Sequence, residues 1–172
     1  MKLFLPPVFY CIFLLLITTF VSAEVVIEDV TLPEVKSTKI VLTIKTPTGD
    51  KPYTIPMLES IGLKRLKTST FWTEDDGVYE GVLLVDLLKH AKIEKSASIK
   101  IIALDEYMTA IPKEDWETWP ILLATRRNGT PLTVRTKGPT RIIYPKDIGG
   151  ALSRNEMRTK WIWTINTIIP NS

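Results

Sequence analysis

Arg141, Arg158 and Lys160, together with Trp72 and Tyr107, are the residues of this chain whose types could do recognisable chemistry. Arginine presents a planar fork that matches paired oxygens of phosphate or carboxylate, and lysine adds a mobile point charge. Trp72, Tyr107 and Trp161 offer flat apolar walls, although Trp161 and Trp163 read first as core residues. Between residues 126 and 160 there are nine Lys or Arg against Asp147 and Glu156, a net of +7. Such an excess on one stretch suits an anion or an acidic partner, with a solvated basic face as the simpler reading.

Catalytic machinery is scarce by comparison. The chain has no Gly-x-Ser-x-Gly elbow, no phosphate-binding Walker loop and no zinc-ligand spacing. It has one histidine, His90, at the end of an amphipathic stretch, where a positive side chain suits a helix C-terminus. Asp105 and Glu106 are adjacent, so their carboxylates tend to point apart rather than act as an acid/base pair. Glu74, Asp75 and Asp76 precede Gly77 but lack the alternating spacing of a calcium loop. No catalytic residue and no metal ligand is expected.

The first 23 residues read as a secretory signal peptide. Lys2 precedes an apolar stretch through Phe20, and Val21-Ser22-Ala23 offers the small residues of a cleavage site. The retained part, residues 24–172, is expected to be a single domain with no remaining membrane anchor, periplasmic or secreted. Its net charge of +2 gives no footprint for nucleic acid. The only cysteine, Cys11, lies in the leader. The exported domain therefore has no disulfide, thiolate ligand or thiol nucleophile, and must rely on its apolar core.

The elements that must position these groups are mostly strands. Residues 24–36 read as an extended arm, and residues 39–45 and 64–71 as strands. Thr54 can cap a short helix carrying Ile55, Leu58 and Ile61 and stopped by Gly62. Residues 72–81 read as a loop. Leu84, Leu87, Leu88 and Ala91 then fall on one helical face. Residues 98–103, 108–111 and 121–126 are strand-like, with a helical turn from Pro112 through Trp116. Asn128-Gly129 predicts a hairpin, with residues 130–135 pairing back and Leu132 and Val134 on one face. Gly138-Pro139 is a corner before a short apolar strand that ends at Pro145. Gly149-Gly150 marks a loop before a last strand over residues 161–169, apolar on both faces and expected at the centre of a sheet. The fold class is α+β, a mixed β-sheet with short helices.

Several of these segments together resemble the molybdopterin-binding domain of the sulfite oxidase family, and small exported proteins that carry that domain alone. Thr70-Phe71-Trp72 leads to Tyr79-Glu80-Gly81-Val82-Leu83-Leu84-Val85-Asp86-Leu87-Leu88. Ala103-Leu104-Asp105-Glu106-Tyr107 runs into Ile111-Pro112. Ile121-Leu122-Leu123-Ala124 is followed by Asn128-Gly129-Thr130-Pro131-Leu132, and Gly138-Pro139-Thr140-Arg141 by Lys160-Trp161. The resemblance covers residues 39–169. It implies a sulfite-oxidase-like fold and makes Arg141 and Lys160 grips for the phosphate end of the pterin. It also implies a molybdenum-binding cysteine in the region Thr68-Ser69-Thr70-Phe71-Trp72, where this chain has only hydroxyl groups. Hydroxyls are poor substitutes for a thiolate on a soft, redox-active metal. The family's cofactor-contacting histidines have no counterpart. The leader has no twin arginine, the signal used to export such domains already loaded.

The resulting expectation is an exported, non-catalytic binding module with Arg141, Lys160, Arg158, Trp72 and Tyr107 at its site. Its partner would be a small anionic or aromatic ligand, or a membrane sensor or redox protein. No cofactor is expected, while the resemblance leaves molybdopterin, and a molybdopterin-dependent oxidoreductase or a subunit of one, as the alternative.

Overall fold

The computed structural model describes residues 25–70, 72–145 and 155–171. The leader and the diglycine loop of the sequence reading lie outside these residues. Among the described residues the strands form two sheets. The first contains β1 (Ile27–Asp29), β4 (Leu63–Thr68), β5 (Gly77–Leu83), β8 (Leu122–Arg127) and β10 (Arg141–Ile143) in that order, with β9 (Thr130–Pro131) beside β8. The second runs β3 (Lys51–Thr54), β2 (Ile40–Ile44), β11 (Ile165–Asn171), β6 (Ser98–Ala103) and β7 (Met108–Pro112). β11 pairs parallel with β2 and antiparallel with β6, so the sheet is mixed. Among the described residues, four short helices accompany the sheets of this α+β domain: α1 (Ile55–Glu59), α2 (Leu84–Ala91), α3 (Lys113–Thr118) and α4 (Asn155–Arg158). None is long and apolar enough to cross a membrane.

Local chemistry accounts for most of these elements. Thr54 Oγ1 accepts the Met57 N–H at 3.3 Å and starts α1. Gly62, at φ +148°, lets the chain leave it. Helix α2 buries Leu84, Leu87, Leu88 and Ala91 as its periodicity requires. Each leucine contributes roughly 1.5–3 kcal/mol by leaving water. His90 lies in the last turn of this helix, as expected. Lys92 closes it in the left-handed conformation, and Lys51 Nζ donates to the Ala91 carbonyl at 2.9 Å. His90 Nδ1 shares a 3.1 Å hydrogen bond with the buried Tyr53 hydroxyl.

Three differences from the sequence reading have physical causes. Part of the expected loop at residues 72–81 is β5, the strand between β4 and β8. Its Gly77, Glu80 and Gly81 disguise it. Glu80 is nonetheless buried, because its carboxylate accepts the Gly129 N–H at 3.0 Å and faces Arg65 Nε at 3.4 Å. After the Asn128-Gly129 turn the return strand lasts only Thr130–Pro131 before a 3-10 turn at Val134–Thr136. Leu132 is buried while Val134 is exposed, so they do not share a face. β11 is indeed the middle strand of its sheet, but starts at Ile165, and only Ile165 and Ile168 are fully buried. A bulge between Ile165 and Thr167 breaks the expected alternation.

A seam of backbone hydrogen bonds joins the two sheets. Ile142 N–H donates to the Ile162 carbonyl at 2.9 Å, and Ile165 N–H to the Thr140 carbonyl at 3.1 Å. Thr140 Oγ1 also donates to the Ile165 carbonyl at 3.0 Å. These bonds tie β10 of one sheet to the approach of β11 in the other. Closeness of backbones also decides Gly81. A Cβ there would lie 2.1 Å from the Leu123 carbonyl oxygen and 2.6 Å from the Ala124 Cα. Gly81→Ala must therefore spread β5 from β8. It is expected to lower stability by about 3 kcal/mol or more, measured by urea unfolding.

Candidate functional site

A hollow of about 320 Å³ opens beside the seam, lined by Trp72, Ala103, Asp105, Tyr107, Arg158, Thr159, Trp161, Ile162 and Trp163. Trp72 arrives on the loop after β4, Tyr107 on the β6–β7 turn, Arg158 at the end of α4, and the two other tryptophans on the approach to β11. Trp72 and Trp163 meet edge to face, with ring centroids 5.3 Å apart. Tyr107 OH donates to the Thr159 carbonyl at 3.1 Å, fixing one rim to the other. The Arg158 guanidinium lies over the Trp72 ring at 5.9 Å. Thr164, directly after Trp163, has φ +51°. That is costly for a β-branched residue, and it turns the chain from the hollow into β11.

Trp72, Tyr107 and Arg158 thus come together as the sequence suggested. Arg141 and Lys160 do not present their charges to this hollow. Arg141 is fully buried; its Nη2 lies 3.3 Å from Asp75 Oδ2, and its Nη1 donates to the Tyr79 hydroxyl at 3.3 Å. Lys160 Nζ donates to Asp115 Oδ2 at 2.7 Å, and the Tyr144 hydroxyl donates to the same oxygen at 2.8 Å. Burial, reinforced by the Asp115 charge and this hydrogen bond, pushes the Tyr144 hydroxyl far above its usual range, so it remains a proton donor. Tyr144 in turn stacks on Trp161, the floor of the hollow. Both cations therefore shape the site from behind.

Asp75 and Lys137 are the residues that sequence reasoning missed. Asp75 is buried on the 3-10 turn Thr73–Asp75 and pairs with Lys137 Nζ, Arg141 Nη2 and Arg127 Nη1, the last at 3.7 Å. Lys137 Nζ also lies 5.1 Å from the centre of the Trp72 ring and 5.2 Å from that of Trp163. Trp163, read as core, is only half-buried and walls the hollow. The charge asymmetry held the missing signal, since a cationic segment and an acidic triplet within one domain are natural partners.

The donor set can be tested against a metal. Thr68 Oγ1 is 3.1 Å from the Ser69 carbonyl and 3.3 Å from that of Tyr144, while Thr70 Oγ1 donates to the Trp72 carbonyl at 2.7 Å. Among the described residues, no three His, Cys, Asp or Glu side chains cluster as a metal site. Oxygen donors already bonded to carbonyls do not fit the soft metal that the resemblance implies for this region.

Comparison with known proteins bears on the same question. Residues 24–168 match the family described as oxidoreductase molybdopterin binding domain. The chain belongs to this family. The mixed sheets and short helices are the fold of that molybdopterin-binding domain. The domain is also similar to the uncharacterized oxidoreductase YuiH of Bacillus subtilis (strain 168), at 32% identity over 77 residues. That match takes in 44% of this chain and 39% of the relative's length.

Asp75 yields a test of how the site is held. Burial alone would raise its carboxyl, but the Lys137 hydrogen bond and the charges of Arg141 and Lys137 outweigh burial and hold it below the usual carboxylate range. A lowered folded-state value stabilises the fold fully above the unfolded value of about 4, and the gain is lost as pH falls through the lower folded value. Thermal unfolding from pH 7 to 2 is therefore expected to show an acid limb below pH ~4, shallower in Asp75→Asn than in the unsubstituted domain.

Proposed function

We propose that this molybdopterin-binding domain works as an exported, non-catalytic binding module that takes a small planar anion into the Trp72–Tyr107–Trp163 hollow. The observation carrying this reading is the hollow itself: aromatic walls with Arg158 at its edge, beside hydroxyls already bonded where a metal-binding thiolate would be needed. A flat ring can lie against the indoles, and its carboxylate or phosphate can meet the guanidinium. Lys137 and Arg158 both lie over the Trp72 ring, so this wall of the hollow favours an anionic or electron-rich partner. The periplasm, or the extracellular space, is the proposed location, and a membrane sensor or redox protein the proposed partner.

Family membership supports a second reading, a molybdopterin-dependent oxidoreductase or a subunit of one. The two separate by composition. Protein purified from the periplasm of a host that makes the cofactor is examined by native mass spectrometry and metal analysis. The binding-module reading expects neither stoichiometric pterin nor molybdenum; finding both establishes the second reading instead.

The hollow is tested separately by tryptophan-fluorescence titration with indole-3-carboxylate. Saturable quenching is expected, with affinity about tenfold weaker in Arg158→Ala from the lost charged contact. Trp72→Ala is expected to weaken binding by a similar factor. Equal titrations in all three proteins would remove the hollow from the proposal.

A further inference from the structure

Three cations converge on one carboxylate at the root of the Trp72 loop. Asp75 faces Lys137, Arg141 and Arg127, and no other acidic side chain pairs with these three among the described residues. Formally the group keeps a charge of +2. Arg141 is fully buried, and its Nε has no hydrogen-bond partner; Arg127 Nε is likewise buried and unpartnered. Arg127 spends its Nη2 on the Glu74 and Asp76 carbonyls, at 2.6 and 2.8 Å, so even backbone oxygens are drawn in as counter-dipoles. A single carboxylate under-neutralises such a cluster; Arg127 and Lys137 keep some contact with solvent, while the buried charge of Arg141 is costly to leave unpaired. Two guanidinium forks and an ammonium around one site suit an oxyanion, and a dianion best.

We propose that Arg127, Lys137 and Arg141 form an oxyanion socket which the chain fills with its own Asp75 carboxylate. The resemblance to the sulfite oxidase family assigned Arg141 to an external phosphate; here a side chain of the same domain occupies that fork. The domain therefore folds with its socket already occupied, and part of the charge offset, by its own carboxylate. The occupant is also structural, because Asp75 belongs to the turn that follows Trp72. Removing the carboxylate opens the socket to a phosphate- or sulfate-class dianion. This inference is independent of what the neighbouring hollow binds.

The test compares thermal unfolding of the unsubstituted domain, Asp75→Ala and Asp75→Asn at pH 7.5, in sodium chloride and in sodium phosphate of matched ionic strength. In chloride, Asp75→Ala is expected to melt about 10 °C lower, from an uncompensated buried charge. Inorganic phosphate is expected to restore at least half of that loss along a saturable curve, beyond any shift of the unsubstituted domain. Asp75→Asn, whose amide still fills the space, is expected to lose stability without a saturable gain. In Asp75→Ala/Lys137→Met the phosphate gain is expected to shrink at least threefold. The proposal is overturned if Asp75→Ala responds to phosphate as the unsubstituted domain does. It is overturned equally if that variant stays unfolded at every phosphate concentration, or if Asp75→Asn gains as much as Asp75→Ala.

Discussion

A buried guanidinium is the constraint from which the rest of this site follows. Arg141 sits in β10 with no exposed surface, and an arginine cannot shed its charge to escape burial. It needs an anion at hydrogen-bond range, and Asp75 is that anion. Breaking a buried pair by removing one partner typically costs about 3–5 kcal/mol, against a total of roughly 5–15 kcal/mol for a domain. The contact is therefore large enough to dictate where the loop after β4 goes. Once Asp75 is held, Trp72 three residues earlier is brought against Trp163, and Lys137 bridges the carboxylate to both rings. A wall of the hollow is thus fixed by electrostatics beneath it.

The same arrangement recurs on the other side. Asp115, in the first turn of α3, receives Lys160 and the Tyr144 hydroxyl, and Tyr144 supports Trp161 from behind. A carboxylate near a helix N-terminus interacts favourably with the helix dipole. Two cations that could have faced a ligand are consequently spent on the protein. The hollow itself is walled by aromatic side chains, with Arg158 in its lining. Membership of the molybdopterin-binding family defines the scaffold, while the chemistry available at the site is set by these particular side chains.

Local patterns made much of the architecture legible. The α2 face, the Thr54 cap, the Asn128-Gly129 turn and the central place of the last strand depend on residues near one another in sequence, or on a periodicity repeated within one element. β5 escaped because Glu80 and two glycines do not resemble a buried strand. The carboxylate becomes acceptable there only through Gly129 and Arg65, which lie far away in sequence. Trp72, Tyr107 and Arg158 were legible as candidates because aromatic and cationic types suit binding wherever they fall, and they do line the hollow. The use of Arg141 and Lys160 was not legible, since each depends on a carboxylate many tens of residues away.

The amino-acid order by itself determined the α+β character, the inventory of binding groups, and the lack of any cysteine beyond Cys11. Those properties belong to residue types and to short-range spacing. Only the tertiary structure decided which cation lines the hollow and which meet the protein's own carboxylates. Charges attract through space, and their strength depends on distance and burial, neither of which is written into sequence separation.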